Sequence, residues 1–318
     1  MRVITQAHPN IALIKYWGKR NVKCNLPATS SLSVTLDKLW TRMTLSRIQS
    51  QSDTLIVNNS PATDMLSRVS QCLDLVLGKE RDKFAVESDS NFPIAAGLAS
   101  SSSAFSALVF AANQILDKKK SISNLSRLAG QISGSSARSL YGGYVELLTG
   151  KNSIKTGQLL KGSDWPLDVV VAITDHNRKS ISSSKAMIIS AETSPFYDVW
   201  LEKQDEDMHK ARDAILQNNF ELLADVSEKN CLKMHSVMWT SRPPIVYWNE
   251  GTINCMQGIR ELRNKGYPVF FTIDAGPQVK VFCLPEATKM LKNFLSNISG
   301  VKEVLCSGIG NAPKLLDK

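Results

Sequence analysis

Four stretches of the chain gather side chains able to handle anions and protons. In residues 91–110, "NFPIAAGLASSSSAFSALVF", a glycine and four serines run directly into an apolar segment. After Ser103 the residues Ala104, Phe105, Ala107, Leu108, Val109, Ala111, Ala112, Ile115 and Leu116 leave almost no polar face, the pattern of a helix buried on most sides. The first N–H groups of such a helix lack internal partners and carry the positive end of its dipole. Gly97 and the serines Ser100, Ser101, Ser102 and Ser103 therefore read either as an anion site or as an ordinary cap on a core helix. The stretch is not a Walker loop, because no lysine follows the glycine.

The other three stretches add charge. "HPNIALIKYWGKR" carries Asn10, Lys15, Lys19 and Arg20 on a strand and the turn after it. Lys15 stands between Ile14 and Tyr16, so an inward ammonium there needs a partner. "SGSSARS" sets Ser133, Ser135 and Arg138 within six residues, either a polar turn or a clamp for a diphosphate or carboxylate. "TIDAGP" ends an apolar strand on Asp274, either a turn cap or a catalytic carboxylate.

The elements that must position these groups follow from periodicity. "NIALIKYW" and "SSLSVTLDKLWTRMTLSRI" read as strands joined by the turn-rich "NLPATSS". Met65, Val69, Cys72, Leu73 and Val76 have helical spacing, and Gly78 stops that helix. "KFAVESD" is a strand feeding the serine loop, "ISNLSRLAGQIS" a short helix, and "YVELL" the strand after the second serine loop. Composition changes near residue 165. "LDVVVAITD" reads as a buried strand, "HNRKSISSSKAM" as a polar loop, and residues 193–266 as mostly helical. "PVFFTID" and "QVKVFCL" then flank "AGP", before the helix "EATKMLKNFLSNI" and the strand "KEVLCSGIG". This order implies an α+β second domain with an antiparallel sheet.

A chain of 318 residues with 43% hydrophobic and 21% charged residues suits a two-domain globular protein. No apolar run is long enough to span a bilayer and the N-terminus lacks a signal-peptide core, so a cytoplasmic protein with no membrane partner is expected. Six scattered cysteines without zinc spacing read as buried free thiols. The net charge of +9 is spread along the chain, which favours small anionic ligands over nucleic acid.

Taken in order, "HPNIALIKYWGKR…NLPATSSLSVTL", "NFPIAAGLASSSSA", "SGSSARSLYGGYVE", "SSSKAM…ETSPFYDVW" and "TIDAGP" resemble the mevalonate diphosphate decarboxylase family of the GHMP kinase superfamily. The resemblance implies the GHMP kinase fold, an N-terminal ribosomal-protein-S5-domain-2-like α/β sandwich (residues 1–178) and a ferredoxin-like α+β domain (residues 179–318) around a deep cleft. It also implies a homodimer that uses ATP and Mg²⁺ to convert mevalonate 5-diphosphate to isopentenyl diphosphate. Asp274 would act on the 3-hydroxyl, Lys15 would pair with it, and Asn10 and Arg138 would orient the substrate carboxylate. Tyr16, Lys19, Ser133, Ser135, Ser183 and Lys185 would contact substrate; Gly97, Ala99 and Ser100 to Ser103 would wrap the ATP phosphates, with Ser101 or Ser102 near the metal. Asn58 and Asn59 are candidates for adenine. The chain departs from the family pattern at Ser184, where an arginine is common, at Ala186, where a glycine is, and at Ile132 and Gln278. Those departures leave open a relative acting on mevalonate 5-phosphate; a kinase that stops at 3-phosphorylation and a non-catalytic binding protein are the remaining alternatives.

Overall fold

The computed structural model describes residues 1–93, 99–177 and 179–317. In the first sheet Arg2–Ala7, Thr41–Ile48 and Lys83–Ser90 lie antiparallel. Lys314–Asp317 covers one edge; Thr54–Val57, running parallel to Lys83–Ser90, and the short Ser60–Pro61 cover the other. The helices Thr63–Leu77, Ser100–Ile115 and Ile122–Ile132 bury their apolar faces against it, packing Val69, Leu73, Leu108 and Leu125 with Val3, Met43, Leu45 and Val86. Thr63–Leu77 buries Val69, Cys72, Leu73 and Val76, as its spacing predicts, and ends at Gly78 with φ of +96°. Ser100–Ile115 is buried almost all round, as its composition predicts.

Two further sheets share a core. Ile154–Leu160, Tyr144–Thr149, Ser31–Thr35 and Asn10–Ile14 form one; Val269–Ile273, Val279–Cys283, Asp168–Ile173 and Glu303–Ser307 form the other. Ile11, Leu13, Leu32 and Val34 of the former meet Val169, Val171, Phe270 and Phe282 of the latter. The helices Tyr197–Leu216 and Phe220–Trp239 close this core with Met208, Ala211, Leu223 and Ala224. On the opposite face of the third sheet, Glu250–Asn264 and Thr288–Ser296 bury Cys255, Ile259, Leu291 and Leu295.

Asp168–Ile173 pairs on both edges within the third sheet. Two features differ from the sequence reading. Residues 183–187 are not loop but the start of the helix Ser183–Thr193, capped by the Ser182 hydroxyl, which accepts from the Lys185 N–H. The segment 133–139 is mostly a 3-10 helix, Gly134–Leu140, which turns Arg138 inward. Cys72, Cys231, Cys255 and Cys283 are buried as expected, but Cys24 is exposed.

The chain returns from the third sheet to the first across the second through Gly310. Its N–H donates to the Thr35 carbonyl at 2.7 Å and its carbonyl accepts from Gly143 at 2.9 Å. A Cβ there would stand 2.6 Å from the Leu36 carbonyl carbon and closer still to its oxygen, both backbone atoms. We expect Gly310→Ala to cost about 2 kcal/mol or more and lower the melting temperature by about 4 °C or more, measured by thermal unfolding; an unchanged midpoint would show that the crossing gives way freely.

Candidate active site

The strand Asn10–Ile14 ends one residue before Lys15, whose backbone has no ladder partner. Two helical amides take its place. Lys15 N–H donates to Asn230 Oδ1 at 2.8 Å, and its carbonyl accepts from Gln204 Nε2 at 3.2 Å. Asn230 Nδ2 in turn donates to Gln204 Oε1 and to Asp207 Oδ2, which Lys233 also holds. Trp200 Nε1 donates to the Trp17 carbonyl at 3.1 Å. The turn leaving the first strand is thus fixed by side chains from the second half of the chain, as a buried backbone with no sheet partner requires.

So held, Lys15 is 2% exposed and its Nζ lies 2.5 Å from Asp274 Oδ1, at the end of Val269–Ile273. Lys280 Nζ stands 3.3 Å from Asp274 Oδ2. Burial pushes Asp274 up, but the ammoniums of Lys15 and Lys280 outweigh it and hold the carboxyl well below the usual carboxylate range. Lys179 donates to Ser183 Oγ at 2.7 Å and to the Ala275 carbonyl at 3.1 Å; burial pulls its ammonium down to about 8, against the opposing pull of Asp274.

Arg138 is 2% exposed and among the described residues has no carboxylate in ion-pair range. Neutral acceptors hold it: Ser31 Oγ at 2.6 Å, Ser33 Oγ at 2.9 Å and Asn10 Oδ1 at 3.1 Å. The Asn10 amide nitrogen is anchored on the Ser135 carbonyl and Ser139 Oγ. A buried guanidinium satisfied only by neutral oxygens is a strong site for an anion. Tyr16 lies beside it, the ring 5.9 Å from the guanidinium carbon.

These groups line one cavity of about 500 Å³. Asn10, Lys15, Tyr16, Lys19, Ala99, Ser100, Ser101, Ser133, Ser135, Arg138, Ser183 and Asp274 all face it. Ser101 Oγ, Ser133 Oγ and Ser135 Oγ form a chain at 3.3 and 3.4 Å, which joins the two serine loops. The helix Ser100–Ile115 has no side-chain cap: its cap residue is Ala99, with φ of +54°. The ordinary serine cap is therefore not what the structure has.

Other expected residues lie elsewhere. Ser102 donates to the Ala99 carbonyl and Ser103 meets Thr41 Oγ1, both fully buried and away from the cavity. Lys185 is exposed and does not line it, nor do Asn58 and Asn59. Gly97 lies outside the described residues. Sequence reasoning missed Lys179, Arg68 and Lys280. Arg68 lines the cavity from Thr63–Leu77, stacks 4.8 Å over Phe105 and donates to the Ile132 carbonyl. Burial and then Arg68 pull the Lys19 ammonium down, so the two cations share one end of the cleft.

Residues 7–158 match the diphosphomevalonate decarboxylase-like N-terminal domain and residues 169–316 the mevalonate 5-diphosphate decarboxylase C-terminal domain. The diphosphomevalonate decarboxylase of Saccharomyces cerevisiae is 34% identical over 92% of this chain and 80% of its own length; that of Schizosaccharomyces pombe is 32% identical over 97% and 85%. Mevalonate diphosphate decarboxylase from Staphylococcus aureus superposes with a TM-score of 0.93 at 34% identity, over 99% of this chain and 98% of that one. A structure of MDDEF in complex with MVAPP, AMPPCP and magnesium gives 0.92 at 34%, over the whole of both chains. The fold is that of the GHMP kinase superfamily, in two α+β parts, and the chain belongs to the diphosphomevalonate decarboxylase family.

Proposed function

We propose that the chain catalyses the ATP-dependent decarboxylation of mevalonate 5-diphosphate to isopentenyl diphosphate, releasing ADP, phosphate and CO2. The observation that carries this reading is the buried Lys15–Asp274 pair, facing a cavity whose other charged residues, Lys19, Arg68, Arg138 and Lys179, are all cations. Among the described residues, one carboxylate with five cations suits two polyphosphate substrates and a single proton transfer.

The residues present fit ATP and Mg²⁺. The uncapped N-terminus of Ser100–Ile115 and the hydroxyls of Ser100 and Ser101 suit the ATP phosphates. The apolar end lined by Met43, Leu55, Val57, Met65, Val69 and Phe105 suits a flat purine, in place of Asn58 and Asn59. Among the described residues no group of three His, Cys, Asp or Glu is placed to hold a metal; Mg²⁺ shared by phosphates needs few protein ligands, and Ser101 rather than the buried Ser102 would supply one. When bound, the metal neutralises phosphate charge and polarises the transferring group.

The roles of the chain's own residues follow from the chemistry. A tertiary 3-hydroxyl leaves poorly, so it is first phosphorylated: Asp274 orients the hydroxyl and accepts its proton, while Lys15 balances charge on the phosphoryl group. Departure of that phosphate leaves C3 short of electrons, and the bond to the carboxylate supplies them as CO2 leaves. Arg138 and Asn10 orient that carboxylate, with Tyr16 alongside. Lys19, Arg68, Ser133 and Ser135 hold the diphosphate, and Ser183 with Lys179 closes the side nearest Asp274. Lys185 has no part in this scheme. Membership in the family also supports a homodimer working in the cytoplasm; among the described residues no helix is long and apolar enough to cross a membrane.

With ATP, Mg²⁺ and mevalonate 5-diphosphate, a coupled assay is expected to release ADP and CO2 in equal amounts. ADP alone would mean a kinase, and equal or faster turnover of mevalonate 5-phosphate would reassign the substrate. Asp274→Asn is expected to lower kcat about 10²- to 10⁴-fold with ATP binding retained; an unchanged kcat would remove Asp274 from the chemistry.

A pH profile tests Lys179. Its ammonium is present below about 8 and lost above it, so kcat/KM should fall on the alkaline side near that value. Lys179→Arg, which keeps its charge, should move that limb upward; a limb left in place would show that another group titrates there.

A further inference from the structure

Lys280 is the second residue of Val279–Cys283, a strand buried at every position, and is itself fully buried. A lysine in such a place costs several kcal/mol unless it is paired, so sheet formation alone does not explain it. It does not line the cavity, so Asp274 stands between it and the space for ligands. Its Nζ meets Asp274 on Oδ2, whereas Lys15 meets Oδ1 from the cavity side. The carboxylate thus has an ammonium at each oxygen, one from the turn after the strand Asn10–Ile14 and one from Val279–Cys283.

We propose that Lys280 is a positioning residue for phosphoryl transfer, which pins Asp274 through Oδ2 so that Lys15 can turn toward the transferring phosphate. The inference rests on the catalytic reading of Asp274 given above. Without a rear cation, each movement of Lys15 toward phosphate would strip Asp274 of its nearest countercharge. Lys280 keeps one in place throughout the cycle, because Asp274 stands between it and the cavity. Among the described residues, the other charged or titratable groups around Asp274 are Lys179 from the loop before Ser183–Thr193, Arg138 from Gly134–Leu140, and Cys231 and His235 from Phe220–Trp239. His235 is kept neutral by burial, its imidazole pulled down to about 3, and burial pushes the Cys231 thiol up, so neither replaces an ammonium at neutral pH.

The test is the pH dependence of kcat in Lys280→Met, a substitution close to lysine in volume and without its charge. We expect kcat to fall about 10- to 100-fold as the carboxylate shifts, with ATP affinity by calorimetry within about threefold of the parent. The acid limb of kcat should move up by about one pH unit or more, because Asp274 has lost an opposite charge. Lys280→Gln keeps a donor without the charge and should show the same shift, which keeps the test available if the methionine variant is unstable. Slow turnover with the acid limb unmoved in whichever variant folds would overturn the proposal, leaving Lys280 a packing residue. Full activity in Asp274→Asn would overturn the catalytic reading as well, so the two failures are distinguishable.

Discussion

The ion pair between Lys15 and Asp274 is the constraint around which the molecule is organised. Its partners are 259 positions apart and stand at the ends of strands from two different sheets. A distance of 2.5 Å between two such groups requires the sheets to be locked together, and the core of Ile11, Val34, Val171, Phe270 and Phe282 does that. The Asn230, Gln204 and Asp207 network then sets the backbone from which Lys15 projects. Burial makes this precision worthwhile: in a low-dielectric setting a fixed charge acts strongly on a reacting centre, and a displaced one leaves its partner uncompensated.

The same setting explains why the site is electrostatically unbalanced without ligands. Lys179 and Lys280 oppose each other near Asp274, and Arg68 opposes Lys19 at the far end. Among the described residues, Arg138 is satisfied only by hydroxyl and amide oxygens. Anionic substrates relieve this repulsion as they bind. The hydroxyl chain from Ser101 through Ser133 to Ser135 joins the two serine-rich segments without adding charge of its own. Hydroxyls suit that place because they can donate to one ligand or accept from a neighbour.

Much of this was legible in the sequence where local pattern and chemistry coincide. Lys15 stood out because a lysine between apolar neighbours demands a partner, and Asp274 because it ends an apolar strand. The same logic applies to "VKVFC", where Lys280 stands between two valines, but the strand period alone does not reveal it. Lys179 was hidden in a polar loop rich in basic and serine residues, where nothing local separates a cavity side chain from a solvated one. Arg68 lies on a helix whose apolar spacing marks only its core face, and the fold brings the arginine to the cleft. Among the serines, composition could not tell Ser101 from Ser102. The helix start at Ser100 decides it, turning one hydroxyl to the cavity and the next into the core.

The altered segment at 183–187 is the clearest case of structure changing the meaning of a substitution. Read as a loop, Ala186 lacks the backbone freedom of glycine; read as the first turn of Ser183–Thr193, it needs none, and alanine favours the helix by about 0.5–1 kcal/mol over glycine. Its methyl is fully buried in the cluster with Trp17, Met187 and Trp200. Ser184 accepts from Lys19 Nζ at 2.9 Å, tying the turn after the first strand to this helix. A serine there contributes no charge, and Lys185 points away from the cleft. Arg68 reaches the same end from the opposite wall, with no carboxylate partner among the described residues. Positive charge at this end of the cleft is thus supplied by a different element of the fold, the helix Thr63–Leu77.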